Sequence, residues 1–173
     1  MADNATAGGA GTILTGGCLC GRCRFRLRSA DLAAKWCHCS MCRKATGNPA
    51  WLFLTVPLAD FAWLTEPPRV FASSRIAERG FCPDCGSPLT FRLHAQDSID
   101  VSVGCLDTPG RVRPVRHYGI EGRCASLAVH DGLPAERSED SADLVAAWQA
   151  AYGADVRIGP RFQPDAVDED GGS

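Results

Sequence analysis

Seven of the ten cysteines in this 173-residue chain are spaced as metal ligands are spaced. Cys37, Cys39 and Cys42 form a C-x-C-x-x-C triplet that can turn three sulfurs onto one point. Three thiolates leave a tetrahedral metal one position short, which is the arrangement of a reactive zinc, whereas four protein ligands make a structural one. Cys18 and Cys20 form a C-x-C, and Cys82 and Cys85 form a C-x-x-C inside Phe81-Cys82-Pro83-Asp84-Cys85-Gly86. Those two pairs together supply a closed shell of four thiolates. The spacing therefore predicts two zinc ions: a structural one on Cys18, Cys20, Cys82 and Cys85, and a catalytic one on Cys37, Cys39 and Cys42.

Other sortings of the sulfurs exist. Cys18, Cys20 and Cys23 repeat the spacing of the triplet, but Cys23 shares the alternation of Phe25 and Leu27 and reads as a packing residue. His38, His94 or His117 could close the triplet into a structural site; His38, between two ligands, is expected to point away. Cys105 and Cys124 stand alone in strand-like runs and read as core.

The remaining chain must position these groups. Thr12–Thr15 reads as a strand entering a Gly16-Gly17 turn, which would let the backbone bring Cys18 and Cys20 to a metal. Residues 22–28 alternate without a fault, with Cys23, Phe25 and Leu27 inward and Arg22, Arg24, Arg26 and Arg28 in solvent. Residues 33–39 read as a second strand running into the triplet. Ser40 then caps a short helix, Met41–Ala45, stopped by Gly47. Such a helix would aim free N–H groups at the sulfurs, with Arg43 and Lys44 near enough to balance charge or to stay solvated. Further strands are expected at 51–56, 61–64, 69–72, 89–93, 99–103, 112–120 and 124–129. A polar linker at 134–140 leads to a helix at 141–152 with Leu144, Trp148 and Tyr152 on one stripe and Gly153 as its stop. That stripe is expected to pack on its own domain.

Three motifs together carry a family resemblance: Gly16-Gly17-Cys18-Leu19-Cys20-Gly21, then Cys37-His38-Cys39-Ser40-Met41-Cys42-Arg43-Lys44-Ala45-Thr46-Gly47, then Phe81-Cys82-Pro83-Asp84-Cys85-Gly86. In that order they resemble the glutathione-dependent formaldehyde-activating enzyme family, whose domain is shared with centromere protein V. The resemblance spans roughly residues 14–134. It implies a mainly β chain, a β-tent of small curved antiparallel sheets with zinc knuckles, to which the C-terminal helix is an addition. It also implies two Zn²⁺ per chain, on the cysteines already grouped by spacing. The implied activity is a carbon–sulfur lyase: a zinc-bound thiol, glutathione, adds to formaldehyde or a related aldehyde to give an S-hydroxymethyl adduct. Cys23 departs from the family, which usually has an apolar residue there. The alternatives are a family member acting on another thiol or carbonyl compound, and a non-catalytic zinc module that binds a macromolecule.

Composition narrows these choices. Net charge is −2, and without the acidic tail from Pro160 the body holds 17 basic and 16 acidic residues. That balance is no footprint for nucleic acid. The start of the chain has no basic, apolar leader, and the longest apolar run, 50–64, is broken by Pro57 and Asp60. Thiols held as ligands suit a reducing cytoplasm. The expected organisation is a disordered segment at 1–11, a zinc domain at 12–134, a linker and helix at 135–159, and an acidic disordered tail at 160–173.

Overall fold

A computed structural model describes residues 11–125, 127, 131–154 and 158. The expectations for residues 1–10 and the tail from 160 lie outside the described residues, as does most of the strand expected at 124–129. The chain runs β1 (Thr12–Gly17), β2 (Arg24–Ser29), β3 (Ala33–Cys37), α1 (Ser40–Thr46), β4 (Trp51–Pro57), β5 (Phe61–Trp63), β6 (Arg69–Ala72), β7 (Ala77–Phe81), β8 (Pro88–Leu93), β9 (Ser98–Ser102), β10 (Arg113–Tyr118), β11 (Ala135–Glu136) and α2 (Ala142–Tyr152). It is mainly β, as expected. One sheet is ordered β1-β2-β5; the other is ordered β11-β10-β3-β4-β9-β8-β7-β6.

The core forms where inward faces of the two sheets meet. Cys23, Phe25 and Leu27 are fully buried, against Leu54, Val56, Leu89 and Val101 of the larger sheet. Phe25 stacks on Phe61 at 5.6 Å and meets Trp63 edge-on at 5.9 Å. Burying an apolar side chain of this size contributes about 1.5–3 kcal/mol, so this seam holds the sheets together.

Strand β4 is central and buried on both faces, which explains its nearly continuous apolar sequence. Leu54 and Val56 point into the core. Trp51 and Phe53 point the other way, stack at 4.9 Å, and form with Cys42 a second buried cluster beneath the triplet.

Four features differ from the sequence reading. Gly16 and Gly17 lie within β1 rather than in a turn; a Cβ on Gly16 would fall 2.3 Å from the Cys105 carbonyl oxygen and 2.4 Å from the Phe25 ring. Strand β7 was not expected, because Glu78, Arg79 and Gly80 hide its periodicity. The expected linker contributes β11, which pairs with β10. Finally, β10 lies parallel to both β3 and β11, so the large sheet is antiparallel only away from that edge.

Helix α2 meets the loop between β6 and β7 at Arg75. Trp148 is buried and stacks on Tyr152 at 4.5 Å. The Arg75 backbone N–H donates to the Tyr152 hydroxyl at 2.6 Å, and its guanidinium covers that ring at 4.9 Å. The stripe is thus packed on its own chain.

Candidate metal centre

Two cysteine clusters converge as the spacing predicts. The Cys18, Cys20, Cys82 and Cys85 sulfurs all lie within 4.8 Å of one another. A turn closed by Gly21 N–H to the Cys18 carbonyl at 3.1 Å brings the first pair together. The C-P-D-C knuckle brings the second: Gly86 N–H donates to the Cys82 carbonyl at 2.9 Å, with Gly86 at a φ of 73° that favours glycine. Arg22 clamps the two ribbons by a two-pronged bond to Asp84 at 2.8 and 3.0 Å. The Ser87 hydroxyl accepts from Leu19 N–H at 3.0 Å and lies 3.2 Å from the Cys85 sulfur. That hydroxyl, helped by the Ser87 backbone, holds Cys85 down to about 5. Burial pushes Cys23 up to about 12, so it is a neutral packing thiol beside the cluster. These donors suit a closed tetrathiolate shell.

In the second cluster the Cys37, Cys39 and Cys42 sulfurs likewise fall within 4.8 Å of one another. Cys37 ends β3, and α1 begins so soon that Cys42 turns back beneath it. The helix cap is Cys39 rather than Ser40: its sulfur accepts from Cys42 N–H at 3.4 Å. Gly47, at φ 67°, stops the helix as expected. Gly119 fits beneath the loop at φ 62°, where a Cβ would lie 2.8 Å from the Cys39 backbone nitrogen.

The cation at these sulfurs is Arg79 of β7. It is buried, 8 % exposed, and donates from Nη2 to the Cys42 sulfur at 3.3 Å. Its guanidinium lies 4.6 Å over Phe91 and 5.8 Å from Trp51, so aromatic faces hold it in place. Bonds from Cys37 and Cys39, with the Arg79 charge, hold Cys42 well below the ordinary thiol range. Cys37 is pushed well above that range by its bonds to the other two sulfurs and by burial. One thiolate braced by two thiols is a site ready to exchange protons for a cation. Arg43 is half-buried beside the cluster and Lys44 is exposed.

The chain matches the glutathione-dependent formaldehyde-activating enzyme family over residues 13–121, a span that contains both cysteine clusters. The chain belongs to that family. Among solved structures, a protein of Rhodobacter sphaeroides is 20% identical, with 70% of this chain and 98% of that chain covered and a TM-score of 0.45. No curated protein matches.

In this member of the family none of His38, His94 and His117 joins the triplet. Among the described residues, no fourth His, Cys, Asp or Glu completes the group. His38 is fully buried and turned away; its Nε2 lies 2.7 Å from His117 Nδ1. His117 Nε2 in turn meets both Asp131 oxygens at 3.1 Å. Because the carboxylate needs a donor, His117 carries its proton on Nε2 and accepts from His38 through Nδ1. This Asp131–His117–His38 chain ties the loop between Cys37 and Cys39 to the far side of β10. His94 is half-exposed and lies 3.9 Å from Glu78.

A cleft of about 530 Å³ opens beside the triplet, sharing Trp51 and Arg79 with it and walled by Phe71, Phe81 and Pro88. Sequence reasoning missed Arg79 as part of the site, and it offered His117 as a ligand where the structure has it bracing His38 instead. Only long-range strand pairing brings them there, and no local pattern announces it.

Proposed function

We propose that this chain is a zinc-dependent carbon–sulfur lyase that joins a thiol, glutathione in the family's named reaction, to formaldehyde or a related small aldehyde. Cys18, Cys20, Cys82 and Cys85 hold a structural Zn²⁺, and Cys37, Cys39 and Cys42 hold the catalytic one, two per chain. Within the catalytic site, bound zinc supplies a Lewis acid with an open position for an outside sulfur or oxygen. The single observation behind this reading is the three-sulfur cluster itself: three convergent cysteines, a buried cation 3.3 Å from one of them, and an adjoining cleft.

The chain's own residues do the remaining work. Arg79 neutralises negative charge that would otherwise accumulate on sulfur in a buried setting. Trp51, Phe53 and Phe91 keep water from the inner side of the cluster. The thiolate sulfur adds to the carbonyl carbon, forming a C–S bond as the C=O π pair moves to oxygen. The oxygen then takes up the proton the thiol gave up. Run backward, the same steps cleave the adduct.

Residues 12–134 would form the zinc domain, followed by linker and helix to 159 and a tail from 160. Both clusters need reduced thiols, which fits the cytoplasm. No helix among the described residues is long and apolar enough to cross a membrane.

The test is zinc stoichiometry with X-ray absorption on the triplet, alongside carbon-13 NMR of labelled formaldehyde with glutathione. The expected result is a second ion with three sulfurs and one exchangeable ligand that becomes a fourth sulfur when thiol is added. A shell filled by four side chains and unmoved by thiol, with no adduct formed faster than in buffer, would end the proposal.

A further inference from the structure

The cleft has a composition that a small polar aldehyde and a tripeptide thiol do not explain. The register of β6 and β7 sets Arg69 opposite Phe81 and Phe71 opposite Arg79. Residues two apart on a strand share a face, so one side of this ribbon presents two rings between two cations. The Phe71 and Phe81 rings meet at 5.9 Å and 67°. Arg79, at the inner end, turns its charge to Cys42. Arg69, at the outer end, is exposed, and its side chain makes no hydrogen bond or ion pair among the described residues. By contrast, Arg22, Arg24, Arg92 and Arg116 each hold an acid. Among the described residues, no Asp or Glu lines the cleft. Phe71 is 46% exposed and Val70 50%, although they sit on an edge strand, where charged residues are the usual protection against unwanted pairing.

We propose that this cleft binds the body of the aldehyde substrate, an apolar molecule, aromatic or branched, that carries one acid group. The acid meets Arg69, the body packs on Phe71, Phe81 and Trp51, and the carbonyl end faces Arg79 and Cys42. This rests on the triplet being the reacting centre. Two residues of strand separate the outer cation from the Phe71–Arg79 pair, about 7 Å, the length of one para-substituted ring. The ammonium of glutathione would find no carboxylate among the described residues of the cleft.

Zinc-loaded full-length protein is titrated by calorimetry with 4-methylbenzoate and 4-methylbenzylamine, which share a body and differ in the sign of their charge. The acid is expected to bind about tenfold tighter than the amine, the scale of a charge-assisted hydrogen bond. Arg69→Gln should abolish that preference, and Phe71→Ala should weaken both ligands about fivefold through lost apolar contact. Equal binding of acid and amine, or an Arg69→Gln variant that binds like the parent, overturns the inference. A second arm separates it from the enzymatic reading. 4-Formylbenzoate and benzaldehyde are offered with glutathione or 2-mercaptoethanol, and the acid is expected to lower KM in an Arg69-dependent way. Arg69-dependent binding of 4-methylbenzoate with no adduct from any aldehyde overturns the lyase and with it the cleft's role as substrate site. Adduct formation from formaldehyde without 4-methylbenzoate binding overturns the cleft inference alone.

Discussion

Arg79 and Cys42 come from elements 37 positions apart in sequence and meet at 3.3 Å in a buried pocket. A guanidinium clamped over Phe91 beside a thiolate sets the charge balance of the whole triplet. It favours the deprotonated sulfur that a metal requires.

Arg79→Gln should therefore raise the Cys42 pKa and move the pH of half-maximal metal uptake at the triplet upward. At neutral pH the affinity of that site should fall about tenfold, the worth of a charge-assisted hydrogen bond. Competition with a chromophoric chelator from pH 6 to 9 checks both. An unchanged midpoint would mean that Arg79 merely packs.

Cys39→Ser should leave one metal ion per chain and a folded protein, because the triplet sits at the edge of the core rather than between the sheets. Cys82→Ser should instead destabilise the whole domain, since Cys82 is fully buried in the main core and links distant ribbons. Elemental analysis with thermal unfolding distinguishes the two outcomes.

Gly119→Ala should lower metal occupancy at the triplet and leave the four-sulfur cluster intact. The added methyl would press on Cys39 and force a non-glycine residue to a φ of 62°. Together these should cost roughly 1–3 kcal/mol of local stability. Cobalt substitution, followed by the intensity of sulfur-to-metal charge-transfer bands, reads each cluster.

Asp100 lies on β9, accepts from the Thr55 hydroxyl at 2.6 Å, and is raised to about 6 chiefly by burial. Its folded pKa is above the unfolded value of 3.8, so the folded state keeps the proton longer. Stability should then fall as pH rises from about 4 to about 6 and stay lowered above that. Asp100→Asn should remove this slope and gain about 1–2 kcal/mol at pH 8. Urea unfolding of variant and parent at pH 5 and pH 8 tests it.

Both cysteine clusters were legible in the sequence because short ligand spacing survives folding: C-x-C and C-x-x-C fix sulfurs locally. The alternation of Cys23, Phe25 and Leu27 was equally plain, since period two has a single structural meaning there. Strand β7 was not legible, and Arg79 with it, because Ala-Glu-Arg-Gly-Phe shows no apolar alternation and becomes a strand through pairing with β6 and β8. The His38–His117 pair was hidden for a related reason: β10 returns to β3 in parallel from 79 residues away. The exchange of Ser40 for Cys39 as helix cap turned on sulfur serving as acceptor, a role that propensity assigns to hydroxyls and carboxylates.

The two clusters are nested along the chain. Residues 18–20 and 82–85 enclose 37–42, so an ion in the outer set draws a loop of 62 residues around the inner one. Stripping the outer ion would slacken that ring and disturb its contents, whereas emptying the inner one leaves the ring closed. Loading should follow the same hierarchy, outer before inner, and a chelator withdrawn in steps should reverse it.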